Sequence, residues 1–81
     1  MSRYRIAYDP VADAARKSMD PDRRAEFERE LDRTIGTDPY GHGSTPVRGE
    51  PDRRDATVAG AIIRYYVSGS ILTVTVVRLI H

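Results

Sequence analysis

Residues 61–81, the carboxy-terminal part of the sequence, constrain the fold more than any other stretch. Two runs rich in Ile, Val, Thr and Tyr flank Ser68-Gly69-Ser70, three small residues that favour a turn. Two such runs around a turn are typical of a β-hairpin. The sequence therefore predicts two neighbouring strands, the first ending before Ser68 and the second running from Ile71 to His81.

Side chains alternate between the two faces of a strand, so parity sorts each run into two faces. The apolar face, expected to pack on helices, comprises Ile63, Tyr65, Val67, Leu72, Val74, Val76 and Ile80. The opposite face comprises Ile62, Arg64, Tyr66, Ile71, Thr73, Thr75, Val77, Leu79 and His81. Simple alternation sends Arg78 toward the helices unless a β-bulge reorients it. We expect Arg64, Tyr66 and His81 to face solvent or a ligand together.

The sequence before the hairpin predicts a strand and two helices. Residues 3–8 alternate, with Tyr4, Ile6 and Tyr8 on one side. Asp-Pro pairs at 9–10 and 20–21 each provide an N-cap and a first-turn proline. The first helix, from Pro10 to about Ser18, is expected to bury Val11, Ala14 or Ala15, and Met19. The second, from Pro21 to a cap at Gly36, is expected to bury Phe27, Leu31 and Ile35.

Residues 37–53 have the Gly- and Pro-rich composition of a loop, and Arg53–Val58 resembles a strand that turns at Ala59-Gly60 into the hairpin. The expected fold class is therefore α+β, in the order β-α-α-β-β-β. Two helices must cover one face of the sheet.

A length of 81 residues indicates one domain, over residues 1–81. The net charge is +1, and the sequence contains no cysteine. No apolar run approaches the roughly twenty residues of a membrane-spanning helix, and the amino terminus does not resemble a signal peptide. We expect a soluble, cytoplasmic protein. The charge is much weaker than expected of a protein that holds nucleic acid by charge alone. Its basic groups are nearly all arginine, which binds phosphate in a bidentate manner, although a GC-rich genome produces the same bias.

Few residues suggest chemistry. His42 and His81 are the only histidines, and neither has a second His, Cys or carboxylate at metal-ligand spacing, so no metal or cofactor is expected. Arg64, Tyr66 and His81 could perform metal-free RNA chemistry, with arginine holding phosphate and His81 acting as acid or base. The alternative is that His81 is simply an exposed histidine at the end of a strand.

Three short stretches, taken in order, match a known family: residues 4–10, residues 37–39 and residues 65–81 with their closing Arg78-Leu79-Ile80-His81. In these the chain resembles RelE/ParE-superfamily toxins of type II toxin–antitoxin systems. The resemblance implies two helices on one face of a curved antiparallel sheet, and a cognate antitoxin whose carboxy-terminal segment wraps the toxin. RelE-like members cleave mRNA on the ribosome with basic residues and a histidine or tyrosine on the open sheet face. ParE-like members instead inhibit DNA gyrase by binding.

The resulting hypothesis is a ribosome-associated mRNA endoribonuclease. His81 is its candidate acid or base, and Arg64 and Arg78 are its candidate phosphate or transition-state stabilisers. Further residues that could contact RNA are Tyr66, which could stack on a base, and Arg48, Arg53 and Arg54, which could position the backbone. Ile62 occupies the position where the family commonly has an arginine, and Arg64 is the candidate to replace it. A gyrase inhibitor, or a member that only binds an antitoxin, remains the alternative.

Overall fold

The computed structural model describes residues 3–81. In chain order, its elements are β1 (Arg5–Tyr8), α1 (Pro10–Lys17), α2 (Pro21–Arg33), β2 (Thr45–Val47), β3 (Glu50–Val58), β4 (Ala61–Ser68), a short 3-10 turn (Gly69–Ile71) and β5 (Thr73–Ile80). The predicted α+β class and both helices are confirmed. Neither helix in this part of the chain has the length and apolar composition needed to cross a membrane.

The strands form one sheet in the order β1-β5-β4-β3-β2. Adjacent strands are antiparallel except β1, which runs parallel to β5, so the sheet is mixed rather than wholly antiparallel. The prediction of four strands was also wrong. Part of the expected loop forms β2 and the first residues of β3, joined by a turn at Arg48-Gly49 in which both residues have positive φ. The sequence did not predict this hairpin, because the Gly- and Pro-rich composition of residues 37–53 usually indicates a loop.

The helices cover one face of the sheet and enclose the core with it. Fully or nearly fully buried side chains include Ala12, Met19, Phe27, Leu31, Ile35, Ile63, Tyr65, Val67, Val74, Val76 and Leu79. The predicted buried positions of α2 are therefore confirmed, although the helix ends at Arg33 rather than at Gly36. The prediction for Val11 was wrong: its side chain is 71% exposed, and Ala12, one position further, is buried instead.

Both β4 and β5 alternate between faces, but β5 contains a bulge. Arg64 pairs with Arg78, whereas the next residue, Tyr65, pairs with Val76, so Val77 is an extra residue without a partner on β4. A bulge of this kind inverts the parity of the residues that follow it. The predicted faces of β4 are confirmed. On β5, the expected faces of Leu79 and Ile80 were wrong, since Leu79 is buried in the core and Ile80 is 48% exposed.

The turn between β4 and β5 also differs from the prediction. The 3-10 turn extends to Ile71, and Leu72 has a left-handed φ of 46°, so the second strand begins at Thr73 instead of Ile71. Ile71 and Leu72 are both exposed rather than part of a strand face. β5 ends at Ile80, one residue before His81.

Candidate functional site

The face of the sheet opposite the helices, called here the open face, carries the candidate site. Strand pairing places the following charged and large side chains on it: Arg5, Arg53, Asp55, Ile62, Arg64, Tyr66, Arg78 and Ile80. The tight turn at Ala59-Gly60 sets the register of β3 against β4, because Val58 pairs directly with Ala61. The same register places Asp55 opposite Arg64 and Arg53 opposite Tyr66. Arginines from four strands therefore share this face with one strand-paired carboxylate.

An ion pair lies near the centre of the open face. Arg64 donates two hydrogen bonds to Asp55, from Nε to Oδ1 at 2.8 Å and from Nη2 to Oδ2 at 3.1 Å. Asp55 on β3 and Arg78 on β5 flank Arg64 from the two neighbouring strands, and Arg78 is exposed. The hydrogen bond from Arg64 holds the pKa of the Asp55 carboxyl below its usual value, and the charge of Arg78 adds to this lowering.

Two exposed isoleucines border this ion pair. Ile62 and Ile80 pair across β4 and β5 and are 53% and 48% exposed. Together with Asp55, Arg64 and Arg78 they line a shallow pocket of about 70 Å³. The pocket therefore combines an apolar side with two guanidinium groups and one carboxylate.

A second cluster lies next to the ion pair, on the same two strands. The guanidinium of Arg53 stacks over the ring of Tyr66, 4.5 Å from its centroid, and its Nη2 contacts the Tyr66 hydroxyl. Nε of Arg53 lies 3.9 Å from the Glu50 carboxylate and has no hydrogen-bond partner among residues 3–81. A cation stacked on an exposed aromatic ring is a suitable surface for a planar base next to a phosphate.

His81 does not join this cluster. Its Nε2 lies 2.9 Å from the Ser18 hydroxyl, at the end of α1 on the helix-covered side of the sheet. The prediction that His81 shares a face with Arg64 and Tyr66 was therefore wrong. The reason is the bulge at Val77, which moves Arg78 onto the open face and His81 off it.

Two of the arginines expected to contact RNA have other positions. Arg54 is only 9% exposed and points to the helix side, opposite in direction to its neighbour Arg53. Its Nε donates to Ser44 Oγ at 2.9 Å, Nη1 to the Pro51 carbonyl at 3.0 Å and Nη2 to the Ser44 carbonyl at 3.1 Å. Arg54 therefore has a structural role, because its donors are engaged by the protein, and its contact with RNA stays a prediction. Arg48 is exposed in the β2–β3 turn, away from the ion pair.

The open face thus offers two guanidinium groups, Arg64 and Arg78, whose chemistry suits an anion, and the stacked pair of Arg53 and Tyr66, whose chemistry suits a planar group. Sequence reasoning missed Asp55, although a signal was present. Once Ala59-Gly60 is taken as a two-residue turn, counting outward along β3 and β4 pairs Asp55 with Arg64. Within residues 3–81 no three His, Cys, Asp or Glu side chains come together as a metal site.

Two solved structures share this arrangement of helices and strands. The toxin–antitoxin complex RelBE2 from Mycobacterium tuberculosis contains a chain that matches with a TM-score of 0.81 and 18% identity, over 100% of this chain and 93% of that chain. A mutant of the E. coli toxin RelE in the free state matches with a TM-score of 0.73 and 20% identity, over 98% of this chain and 82% of that chain. No protein-family model and no curated protein matches the sequence. The RelE-like fold expected from the sequence is therefore confirmed.

Proposed function

We propose that this chain is the toxin of a type II toxin–antitoxin pair. The support is a fold shared over its full length with a chain of a toxin–antitoxin complex and over nearly its full length with the toxin RelE. Its partner is then a cognate antitoxin, whose carboxy-terminal segment wraps the toxin in the family that the sequence resembles. Co-expression of a short neighbouring reading frame should suppress any growth arrest that the chain causes.

The proposed target is mRNA on the ribosome, cleaved without a metal. The observation that carries this proposal is the placement of two guanidinium groups, Arg64 and Arg78, beside the stacked pair Arg53 and Tyr66 on one open face. The two arginines bind the scissile phosphate and the charge that develops on it, while Tyr66 stacks on a neighbouring base.

RNA cleavage of this kind also needs a proton donor or acceptor at the reacting oxygens. His81 is the proposed residue for this role. It follows Ile80 at the end of β5, and its exposed ring must leave Ser18 to reach an RNA bound across Arg78.

Induced expression of the wild type and of Arg64→Ala, Arg78→Ala and His81→Ala variants tests this proposal. Growth and mRNA integrity are followed together. The expected result is arrest with mRNA fragmentation that each substitution reduces by about 100-fold or more, the usual effect of losing a charge-stabilising or proton-transfer group. Arg33→Ala is the matched control, since Arg33 is an exposed arginine of α2 whose ion pair within residues 3–81 is with Glu30. Arrest with intact mRNA would overturn the ribonuclease proposal.

A second candidate is a ParE-like gyrase inhibitor that acts by binding alone. Two observations favour it: His81 lies off the open face, and exposed Ile62 and Ile80 give that face an apolar patch suited to a protein partner. In that case arrest proceeds with intact mRNA, and the purified chain inhibits DNA supercoiling by gyrase. Ile62→Lys should then abolish inhibition, whereas His81→Ala should not. A chain that causes no arrest under any condition would be a member that only binds its antitoxin.

A further inference from the structure

Asp55 is the carboxylate that lies opposite Arg64 on the open face, and it opposes the proposed binding of RNA there. Its carboxylate lies among guanidinium groups and holds Arg64 through both oxygens, at 2.8 and 3.1 Å. This two-point geometry is the same fork by which arginine binds a phosphate. While the pair is intact, the carboxylate occupies the position on Arg64 that a phosphodiester would take.

Asp55 also has a role when no ligand is bound. Arg64 and Arg78 are directly opposite each other on β4 and β5, and like charges in that relation destabilise a sheet. Asp55, on the other side of Arg64, supplies the compensating charge. The side chains of Arg64 and Asp55 are 38% and 41% exposed, so the ion pair is accessible and can open without unfolding the sheet.

We infer that Asp55 is an internal counter-ion of the anion site, which stabilises the paired arginines in the free protein and which the RNA phosphate must displace on binding. Asp55 is thus a positioning residue that lowers affinity for RNA. Ligands with a single phosphate gain little, because they exchange one anion for another. A longer strand that also stacks on Tyr66 gains enough to open the pair. This inference rests on the proposed function at the same site.

The first test is the binding of a labelled single-stranded RNA to the wild type and to Asp55→Asn over a range of salt concentrations. Asn is isosteric with Asp but is uncharged and offers one acceptor oxygen instead of two, so it holds Arg64 less firmly and leaves its charge for a phosphate. The variant should bind about tenfold more tightly, the effect of one additional charge-assisted contact. Its plot of log affinity against log salt should be steeper by about 0.7, the value for one more phosphate contact with a single strand.

Two controls separate this effect from net charge and from Arg64-independent effects. Asp52→Asn makes the same charge change on the same strand, but its carboxylate accepts from the Tyr40 hydroxyl rather than from an arginine. It should increase affinity by much less and leave the salt dependence unchanged. In an Arg64→Ala background, Asp55→Asn should lose most of its advantage. An equal gain from Asp52→Asn, or a gain that persists without Arg64, would overturn the inference.

A second measurement does not depend on RNA. Inorganic phosphate should raise the Tm of Asp55→Asn by more than that of the wild type or Asp52→Asn, because it replaces the missing counter-ion. If RNA binds none of the proteins but phosphate stabilises Asp55→Asn selectively, the counter-ion role stands and the RNA target falls. If RNA binds the wild type, yet Asp55→Asn resembles Asp52→Asn in both measurements, the counter-ion role falls and the proposed function stands. If neither ligand affects Asp55→Asn selectively, the counter-ion role is refuted.

Discussion

The adjacent residues Arg53 and Arg54 provide a sharp test of the structure, because two identical side chains have opposite environments. Arg54 is 9% exposed and makes three hydrogen bonds of 2.9 to 3.1 Å to residues 44 and 51. Arg53 is half-exposed and stacks on Tyr66. Replacing each by Met keeps most of the apolar stem and removes the guanidinium. The expected losses of stability are therefore very different.

For Arg54→Met, each hydrogen bond contributes about 1 kcal/mol net, so the loss should be about 3 kcal/mol. The three carbonyls that lose a donor are those of Tyr40, Ser44 and Pro51, and imperfect access of water to them would increase the loss. In a domain of this size 1 kcal/mol corresponds to roughly 4 to 8 °C in Tm, which gives a decrease of about 12 to 24 °C. For Arg53→Met the loss is that of an exposed cation–π contact, about 1 kcal/mol or less.

Arg54→Lys distinguishes a structural role from an RNA contact. Lysine keeps the charge but is a point donor on a flexible stem, so it cannot reach Ser44 and Pro51 at the same time. We expect it to remain about 2 kcal/mol less stable than the wild type, in keeping with the loss of two bonds. Urea unfolding followed by circular dichroism measures all three variants. If Arg54→Met costs no more stability than Arg53→Met, the assignment of Arg54 to the buried side is refuted.

Three further predictions concern single contacts. The hydrogen bond to Asp52 raises the pKa of Tyr40 to about 12, so Asp52→Asn should return it toward 10.0 in a tyrosinate absorbance titration; an unchanged curve would contradict this. Ala59 has a φ of 48° in the β3–β4 turn, where Asn is favoured, so Ala59→Asn should raise the unfolding free energy by about 0.5 to 1 kcal/mol in urea, and a loss would refute the reasoning. The hydrogen bond from Arg64 lowers the pKa of Asp55 from 3.8 in the folded protein. The ion pair therefore adds to the free energy of unfolding above pH 3.8, and this contribution is lost as the pH falls through the pKa of the folded protein. The unfolding free energies of the wild type and Asp55→Asn should differ at neutral pH and converge in acid; a constant difference would argue against the ion pair.

The sequence was sufficient for features that depend on local chemistry. Asp-Pro pairs located the starts of both helices, and the spacing of Phe27, Leu31 and Ile35 identified the buried side of α2. Alternation also sorted β4 correctly, because this strand has no irregularity. The same reasoning failed for the parallel pairing of β1 with β5, since pairing between distant strands leaves no local pattern. It was not carried through for Arg54, although alternation along β3 places Arg54 on the same face as the apolar Ala56 and Val58.

The composition of the open face depends on one extra residue in β5. Val76 and Val77 are both apolar β-branched residues, so nothing in the sequence indicates which of them lies outside the regular pairing. Because Val77 does, Arg78 lies beside Arg64 instead of in the core, where its charge would require a partner. The same shift places Leu79 in the core and turns His81 to Ser18. Two arginines on neighbouring strands in turn require a counter-ion, and Asp55 lies where the β3–β4 turn places it. The bulge and the turn together therefore decide which charges can meet a ligand, and both act through backbone register rather than through the identity of the site residues.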